Sequence, residues 1–322
     1  MLAVGVSILS LLAQPAQTEV TFQGAGIELA GVVTLPSGDV QKAPAILLMP
    51  GSGPTDRDGN QPGLTTDLLK DLSNALAEAG YVTFRFDKRP VARYQSQWPK
   101  TLAEMGPFFN WENHLADVEA AYGVLKSRPE VDAKRIAILG HSEGGLFATA
   151  VGKKLGAKAL LLLGAPGRNM GDILYSQVSA QVNSAPWDEE KKKEFNRRHR
   201  QTIDHLTKTG EIHAETPQEL AGLYNVSTKD LMTGYFRATP LKWVEEFGGA
   251  VFVANGEKDV QVLATEDARL LDEAAKKKSN RPLSLVIVPQ ASHNFKLGSP
   301  GFIGPIAPGL VPPMMEFLKK NL

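Results

Sequence analysis

The chain of 322 residues contains no cysteine. That absence removes disulfides, cysteine-based zinc sites, iron–sulfur clusters and a thiol nucleophile. Net charge is absent too, since 35 Lys plus Arg balance 35 Asp plus Glu. A balanced chain has no general attraction for phosphate backbones, so no nucleic-acid partner is expected. No stretch reaches the roughly 18 uninterrupted apolar residues that mark a spanning helix, so no membrane span is expected. The phosphate-binding pattern G-x-x-x-x-G-K-[ST] is missing, and Gly24 and Gly26 lack the third spaced glycine of a dinucleotide fingerprint. No repeat with a period of roughly 20–50 residues recurs, which excludes a solenoid.

The hydrophobic content of 43% is too high for a disordered chain and suits a globular one. Residues 4 to 13 read VGVSILSLLA, followed by the polar, proline-bearing QPAQT. That run is too short to span a bilayer and matches the apolar region of a secretory signal, with Ala13 or Ala16 near the cleavage point. No basic residue precedes it, so a packed N-terminal arm or a mis-assigned start is the alternative. Residues 1–16 are therefore expected to be a signal peptide or an arm, and the protein to be exported to the periplasm or beyond.

Residues 19 to 35 alternate apolar and polar around Gly24 and Gly26, which is hairpin patterning. After them, short continuous apolar runs alternate with amphipathic stretches. The runs are Ala45–Met49, Tyr81–Phe86, Arg135–Leu139, Ala159–Leu163, Ala250–Ala254 and Leu283–Val288. Helical spacing occupies Asp67–Ala79, Trp111–Lys126, Ser142–Leu155, Ala264–Lys277 and a last segment near Pro312–Lys320. This order predicts an α/β fold with a mostly parallel central sheet covered on both faces and an antiparallel hairpin at one edge.

Residues 170–247 break the alternation, with no apolar run long enough for a buried strand. Within them, residues 188 to 200 carry six basic and four acidic side chains, the pattern of a solvated helix rather than a binding patch. A helical insertion is expected there, with Tyr175, Trp187, Phe195, Tyr224, Tyr235, Phe236 and Trp243 available for its inner face. The core is then split into residues 17–169 and 248–322.

Residues 140 to 144 read Gly-His-Ser-Glu-Gly, directly after an apolar run and directly before a Gly/Ala-rich helix. That context turns a weak G-x-S-x-G match into a nucleophile elbow, with Ser142 on a strained strand-to-helix turn. Side chains at positions 140 and 144 would collide with the neighbouring backbone. A serine needs a base, normally histidine. Of six histidines, His114 falls on a helix, His199, His205 and His213 fall in the insertion, and His141 adjoins the serine. His293 follows a strand and a short loop, where an open sheet delivers residues to its carboxyl edge. The orienting acid should lie between serine and histidine in the chain. Asp259 follows the strand Ala250–Ala254 by way of the Asn255-Gly256 turn, and Glu257 is the alternative. An oxyanion needs backbone donors: the N–H of Glu143, and that of Ser52 or Gly53 in the loop Pro50-Gly51-Ser52-Gly53-Pro54. Arg57, between Asp56 and Asp58, could hold a substrate carboxylate or anchor the loop through salt bridges.

The segments GHSEGG, NGEKDVQV, ASHNF and PGSGPTDRDG resemble, in that order of roles, those of the α/β-hydrolase serine esterases and acyl hydrolases. The last resembles a bacterial subgroup described as esterases or serine aminopeptidase-like hydrolases. The resemblance covers most of residues 45 to 320. It implies Ser142 as nucleophile, Asp259 as acid, His293 as base, Ser52 and Glu143 as oxyanion donors, and residues 170–247 as a cap over the pocket. No metal or organic cofactor is implied. Two departures stand out. Pro50-Gly51 replaces a common His-Gly, and FDKRPVAR replaces FDKRG-x-G-x-S, so the loop after Asp87 is expected to be reshaped. The leading expectation is cleavage of small-molecule carboxylic esters through an acyl-enzyme. A peptidase or amidase and an acyl thioesterase on the same three residues are the alternatives, with a non-catalytic binder of the same fold the most distant.

Overall fold

The computed structural model describes residues 15–298 and 301–322. The apolar run at residues 4–13, and with it the export expectation, lies outside them. Eight strands alternate with ten helices among the described residues: β1 (Ala16–Gln23), β2 (Glu28–Leu35), β3 (Ala43–Met49), α1 (Leu68–Glu78), β4 (Val82–Phe86), α2 (Leu102–Phe108), α3 (Trp111–Ser127), β5 (Val131–His141), α4 (Glu143–Leu155), β6 (Ala159–Leu163), α5 (Met170–Ser184), α6 (Glu189–Thr209), α7 (Lys229–Arg237), α8 (Pro240–Glu246), β7 (Ala250–Gly256), α9 (Arg269–Lys276), β8 (Leu283–Val288) and α10 (Val311–Asn321). The strands form one sheet in the order β1-β2-β4-β3-β5-β6-β7-β8. β1 pairs antiparallel with β2, and β2 antiparallel with β4. Every later pairing is parallel.

The continuous apolar runs follow from burial on both faces. Successive side chains of a strand point to opposite sides. In β3, Leu47 and Met49 enter one core, with Leu160 and Leu162 of β6 and the apolar faces of α3, α4 and α9. Ile46 and Leu48 enter the other, with Leu161 and Leu163 and with Leu69 and Leu72 of α1 and Met314 and Phe317 of α10. Neither face is left for polar residues, so alternation disappears from the sequence. β8 departs from this. Its apolar run predicted a buried strand, yet Leu285 and Ile287 each remain 40% exposed. The reason is position: β8 is the last strand and has a neighbour on one side only.

Residues 170–247 hold α5 to α8 and no strand. α6 shows how a highly charged helix packs: Phe195, His199, Thr202, Ile203 and Leu206 form its buried stripe. Its exposed face carries the i,i+3 pairs Glu189–Lys192, Glu190–Lys193 and Glu194–Arg197. Phe195, Tyr224, Tyr235 and Phe236 are buried, while Tyr175, Trp187 and Trp243 are partly covered. Among the described residues no helix is long and apolar enough to cross a membrane.

Candidate active site

The turn from β5 into α4 is as tight as the glycines suggested. Ser142 has φ +54° and ψ −123°, a region side-chain-bearing residues rarely occupy. A Cβ on Gly140 would stand against the backbone of Gly144 and Gly145. One on Gly144 would press on the carbonyl oxygens of Met49 and Pro50, and one on Gly145 on the Ala165 side chain. The Ser142 N–H donates to the Leu163 carbonyl at 2.8 Å, which fixes the strained residue to the end of β6. α4 begins at Glu143, so the unpaired N–H groups and positive dipole end of its first turn lie beside Ser142.

His293 and Asp259 meet at the same edge of the sheet. His293 Nδ1 lies 2.7 Å from Asp259 Oδ2, and both residues are buried. A carboxylate accepts, so Nδ1 carries the proton and Nε2 is left as the basic nitrogen. The other carboxylate oxygen accepts from the N–H groups of Gln261 (2.8 Å) and Val262 (3.0 Å), which orients the acid from its own loop. Glu257 is exposed and accepts instead from the backbone and side chain of Gln290. Gly164, one residue after the carbonyl that holds Ser142, leaves room for the pair: a Cβ there would lie 3.3 Å from His293 Nδ1 and 3.5 Å from Asp259 Oδ2.

His141, the residue before the serine, braces this pair. Its Nε2 lies 2.9 Å from the His293 carbonyl oxygen and must be the donor. Burial, then the neighbouring His293, pushes its pKa down to about 3, so it stays neutral. Sequence reasoning assigned it no role, because a contact 152 positions away leaves no local signal.

A cavity of about 600 Å³ opens beside Ser142, between the sheet edge and the helical insertion. Ser52, Gly53 and Glu143 line it with Ser142. Gly53 has φ +79°, a backbone shape suited to glycine. The far wall is apolar and comes from the insertion, chiefly Met170, Ile173, Leu174, Leu231, Met232 and Phe236. The Glu143 side chain is buried and held between two partners. Lys88 Nζ lies 2.5 Å from one oxygen, and the Tyr235 hydroxyl of α7 donates to the other. Burial, then the Glu143 charge, raises the Tyr235 phenol well above its ordinary range, so it remains a donor.

Arg57 does not line this cavity. Its guanidinium donates to Asp87 (3.0 and 2.7 Å) and to Glu19 (3.0 Å), and its own backbone N–H also reaches Asp87. Of the two roles the sequence allowed, the substrate-binding one is corrected and the salt-bridged anchor is what the structure holds. Burial opposes ionisation of Asp87, but Arg57 outweighs it and keeps the carboxyl below its usual pKa. Asp56 accepts from the backbone N–H groups of Asp58 and Asn60, and Asp58 takes Arg85. The acids flanking Arg57 are thus committed to the loop. The same holds for the charged run after β4: Asp87 takes Arg57, Lys88 takes Glu143, and Arg89 makes two 2.7 Å contacts with Asp117. Three consecutive charged residues at a strand end, Asp87 followed by the cations Lys88 and Arg89, were the available signal for these ties.

The sequence model of the dienelactone hydrolase family matches residues 30–206. No curated protein matches the chain in sequence. Solved structures share its fold. An acylaminoacyl peptidase of Pyrococcus horikoshii has a TM-score of 0.62 at 15% identity, over 98% of this chain and 43% of its own. An esterase of Pyrococcus furiosus has a TM-score of 0.59 at 16% identity, over 99% of this chain and 98% of its own. Est1E of Butyrivibrio proteoclasticus, solved with ferulic acid, has a TM-score of 0.56 at 16% identity, over 94% of this chain and 96% of its own. The chain therefore has the α/β-hydrolase fold and spans less than half of the peptidase.

Proposed function

Because the chain belongs to the dienelactone hydrolase family, and so to a family of hydrolases, we propose that it is a serine hydrolase that cleaves carboxylic esters through an acyl-enzyme. A lactone is itself a cyclic ester, so the family's name points to the same bond. The observation that carries the reading is a serine held at φ +54° on the wall of a cavity, at the same strand edge as a 2.7 Å His–Asp pair. In this reading Ser142 attacks the ester carbonyl while His293 Nε2 takes its proton. Asp259 holds the imidazole and stabilises its charged form. The backbone N–H groups of Glu143 and Ser52 receive the oxyanion, with Gly53 giving the loop its shape. His293 returns the proton to the leaving alcohol, and water then releases the acid by the same route in reverse.

Charge in the cavity favours esters over aminoacyl amides. Recognition of a free amino terminus calls for an unpaired carboxylate. Glu143 is the one carboxylate among the described lining residues, and Lys88 and Tyr235 already hold it. The cap role of residues 170–247 rests on the same cavity, whose outer wall they supply. The test is a fluorophosphonate probe. Wild-type protein is expected to be labelled and Ser142→Ala not. Equal labelling of the two would overturn the assignment. Ester turnover is expected to exceed aminoacyl amide turnover on the same protein, and the reverse order would replace the ester reading with the peptidase one.

A further inference from the structure

His114 lines the cavity yet has no part in the chemistry described above. It is 4% exposed and sits on α3, stacked on Phe147 with ring centroids 5.8 Å apart and planes at 7°. Its Nδ1 lies 2.9 Å from the Asn110 carbonyl oxygen, which can only accept. Nδ1 is therefore the N–H, and in a neutral ring Nε2 is a fixed acceptor. The ring is neutral because burial pushes its pKa down to about 3, with Lys88 and Arg89 adding to the effect. Among the described residues no protein group bonds to Nε2.

Lys88 is its neighbour. Both line the main cavity, and both line a small void of about 10 Å³ behind it. An ammonium has three N–H donors. One goes to Glu143, and no other protein acceptor takes the rest among the described residues. An acceptor without a donor and a donor without an acceptor thus both line a mostly apolar cavity.

We propose that His114 Nε2 and Lys88 Nζ form a hydroxyl-binding subsite, and that the ester taken by this cavity carries an alcohol or phenol group. The hydroxyl donates to Nε2 and accepts from Nζ. The pair discriminates among polar groups. A carboxylate has no proton to give Nε2, and the charge of Lys88 is already balanced by Glu143. An ammonium could donate to Nε2 but has no lone pair to accept from Nζ, so the spare donors of Lys88 stay unpaired. An unsubstituted hydrocarbon leaves both buried groups unpaired, which costs affinity.

The proposal rests on the cavity being the substrate site, and its test avoids catalysis. Calorimetry on Ser142→Ala compares the methyl esters of phenylacetic, phenylpropanoic and phenylbutanoic acids with their para-hydroxy analogues. At least one hydroxylated ester is expected to bind roughly tenfold tighter than its parent, as for a hydrogen bond to a buried charged or fixed partner. In Ser142→Ala combined with His114→Phe, which retains the stack on Phe147, most of that preference should be lost, since only the Lys88 donor remains to meet the hydroxyl. His114→Gln keeps an acceptor and should restore part of the preference. Equal binding of every pair by Ser142→Ala overturns the proposal, as does a preference that survives His114→Phe undiminished. Either result leaves the nucleophile assignment untouched, because fluorophosphonate labelling of the wild type decides that separately.

Discussion

The sheet edge and the helical insertion meet at one cavity but are held by different forces. At the edge, positions are set by backbone. Ser142 N–H is tied to Leu163, Gly164 N–H to Ala254, and the Asp259 carboxylate to two backbone donors. In the insertion, side chains set the position. Tyr235 reaches back to Glu143, and Trp111 of α3 packs on Tyr235 with ring centroids 5.7 Å apart. His199 bonds the Tyr224 hydroxyl at 2.8 Å. Reacting groups need placement to a fraction of an ångström, and backbone ties supply it. A substrate wall needs shape, which packed side chains supply and can exchange.

The largest difference is expected at Ser142, the proposed nucleophile. Ser142→Ala is expected to lower kcat by about four orders of magnitude or more, with little change in the thermal midpoint. Replacing Ile173 by Val in the insertion wall should alter the ranking of acyl groups while activity persists. Steady-state kinetics on esters of rising acyl length measures both, and a wall variant as inactive as Ser142→Ala would erase the distinction.

Acid should strike both regions together. His114 and His141 in the core titrate near 3 when folded, and His199 in the insertion near 4, against about 6.5 for an unperturbed histidine. Between those values the unfolded chain binds more protons than the folded one. Stability is therefore fully present above about pH 6.5 and falls as pH drops towards 4. The slope is on the order of 1.4 kcal/mol per pH unit for each histidine in its window. Urea midpoints across that range measure it. A flat profile would mean that these rings are not held neutral.

Glycine substitutions separate the regions next. Gly144→Ala drives a Cβ against the carbonyls of Met49 and Pro50, and the backbone at the elbow cannot yield. A loss of about 3 kcal/mol or more is expected there. Gly222→Ala in the insertion meets no heavy atom within 4 Å and should cost about 0.5 kcal/mol or less. Thermal unfolding of the two variants should rank them in that order. The smallest effect is expected at the exposed Glu194–Arg197 pair of α6, where Arg197→Ala should leave the unfolding midpoint almost unchanged because solvent screens both charges.

The parts of this molecule that were legible in the sequence are those with a local cause. G-x-S-x-G between a strand and a helix names a turn by residue type and spacing, and the steric reason for Gly140 lies within five residues, at Gly144 and Gly145. The buried runs mark strands because both faces are covered. What was not legible depends on residues far apart. Arg57 could bind a ligand or anchor a loop until Asp87 and Glu19 were seen around it. His141 had no role until the His293 carbonyl was found beside it. β8 was read as buried because an apolar run does not say whether a further strand lies beyond it. Glu143 was expected to contribute only its backbone, since nothing in the sequence places Lys88 and Tyr235 at its carboxylate.

The sequence by itself determined the chemistry on offer: a serine with no thiol to compete, a sheet with a carboxyl edge, and a histidine and an acid in the order that edge requires. These are properties of residue type and short spacing. Tertiary structure alone decided which charges are spent and which are free. Ion pairs such as Lys88–Glu143 and Arg57–Asp87 join segments 55 and 30 residues apart. Only packing can bring them close enough for their charges to cancel. What is left uncancelled in the cavity, the nitrogen of His114 and the spare donors of Lys88, is what a substrate would meet.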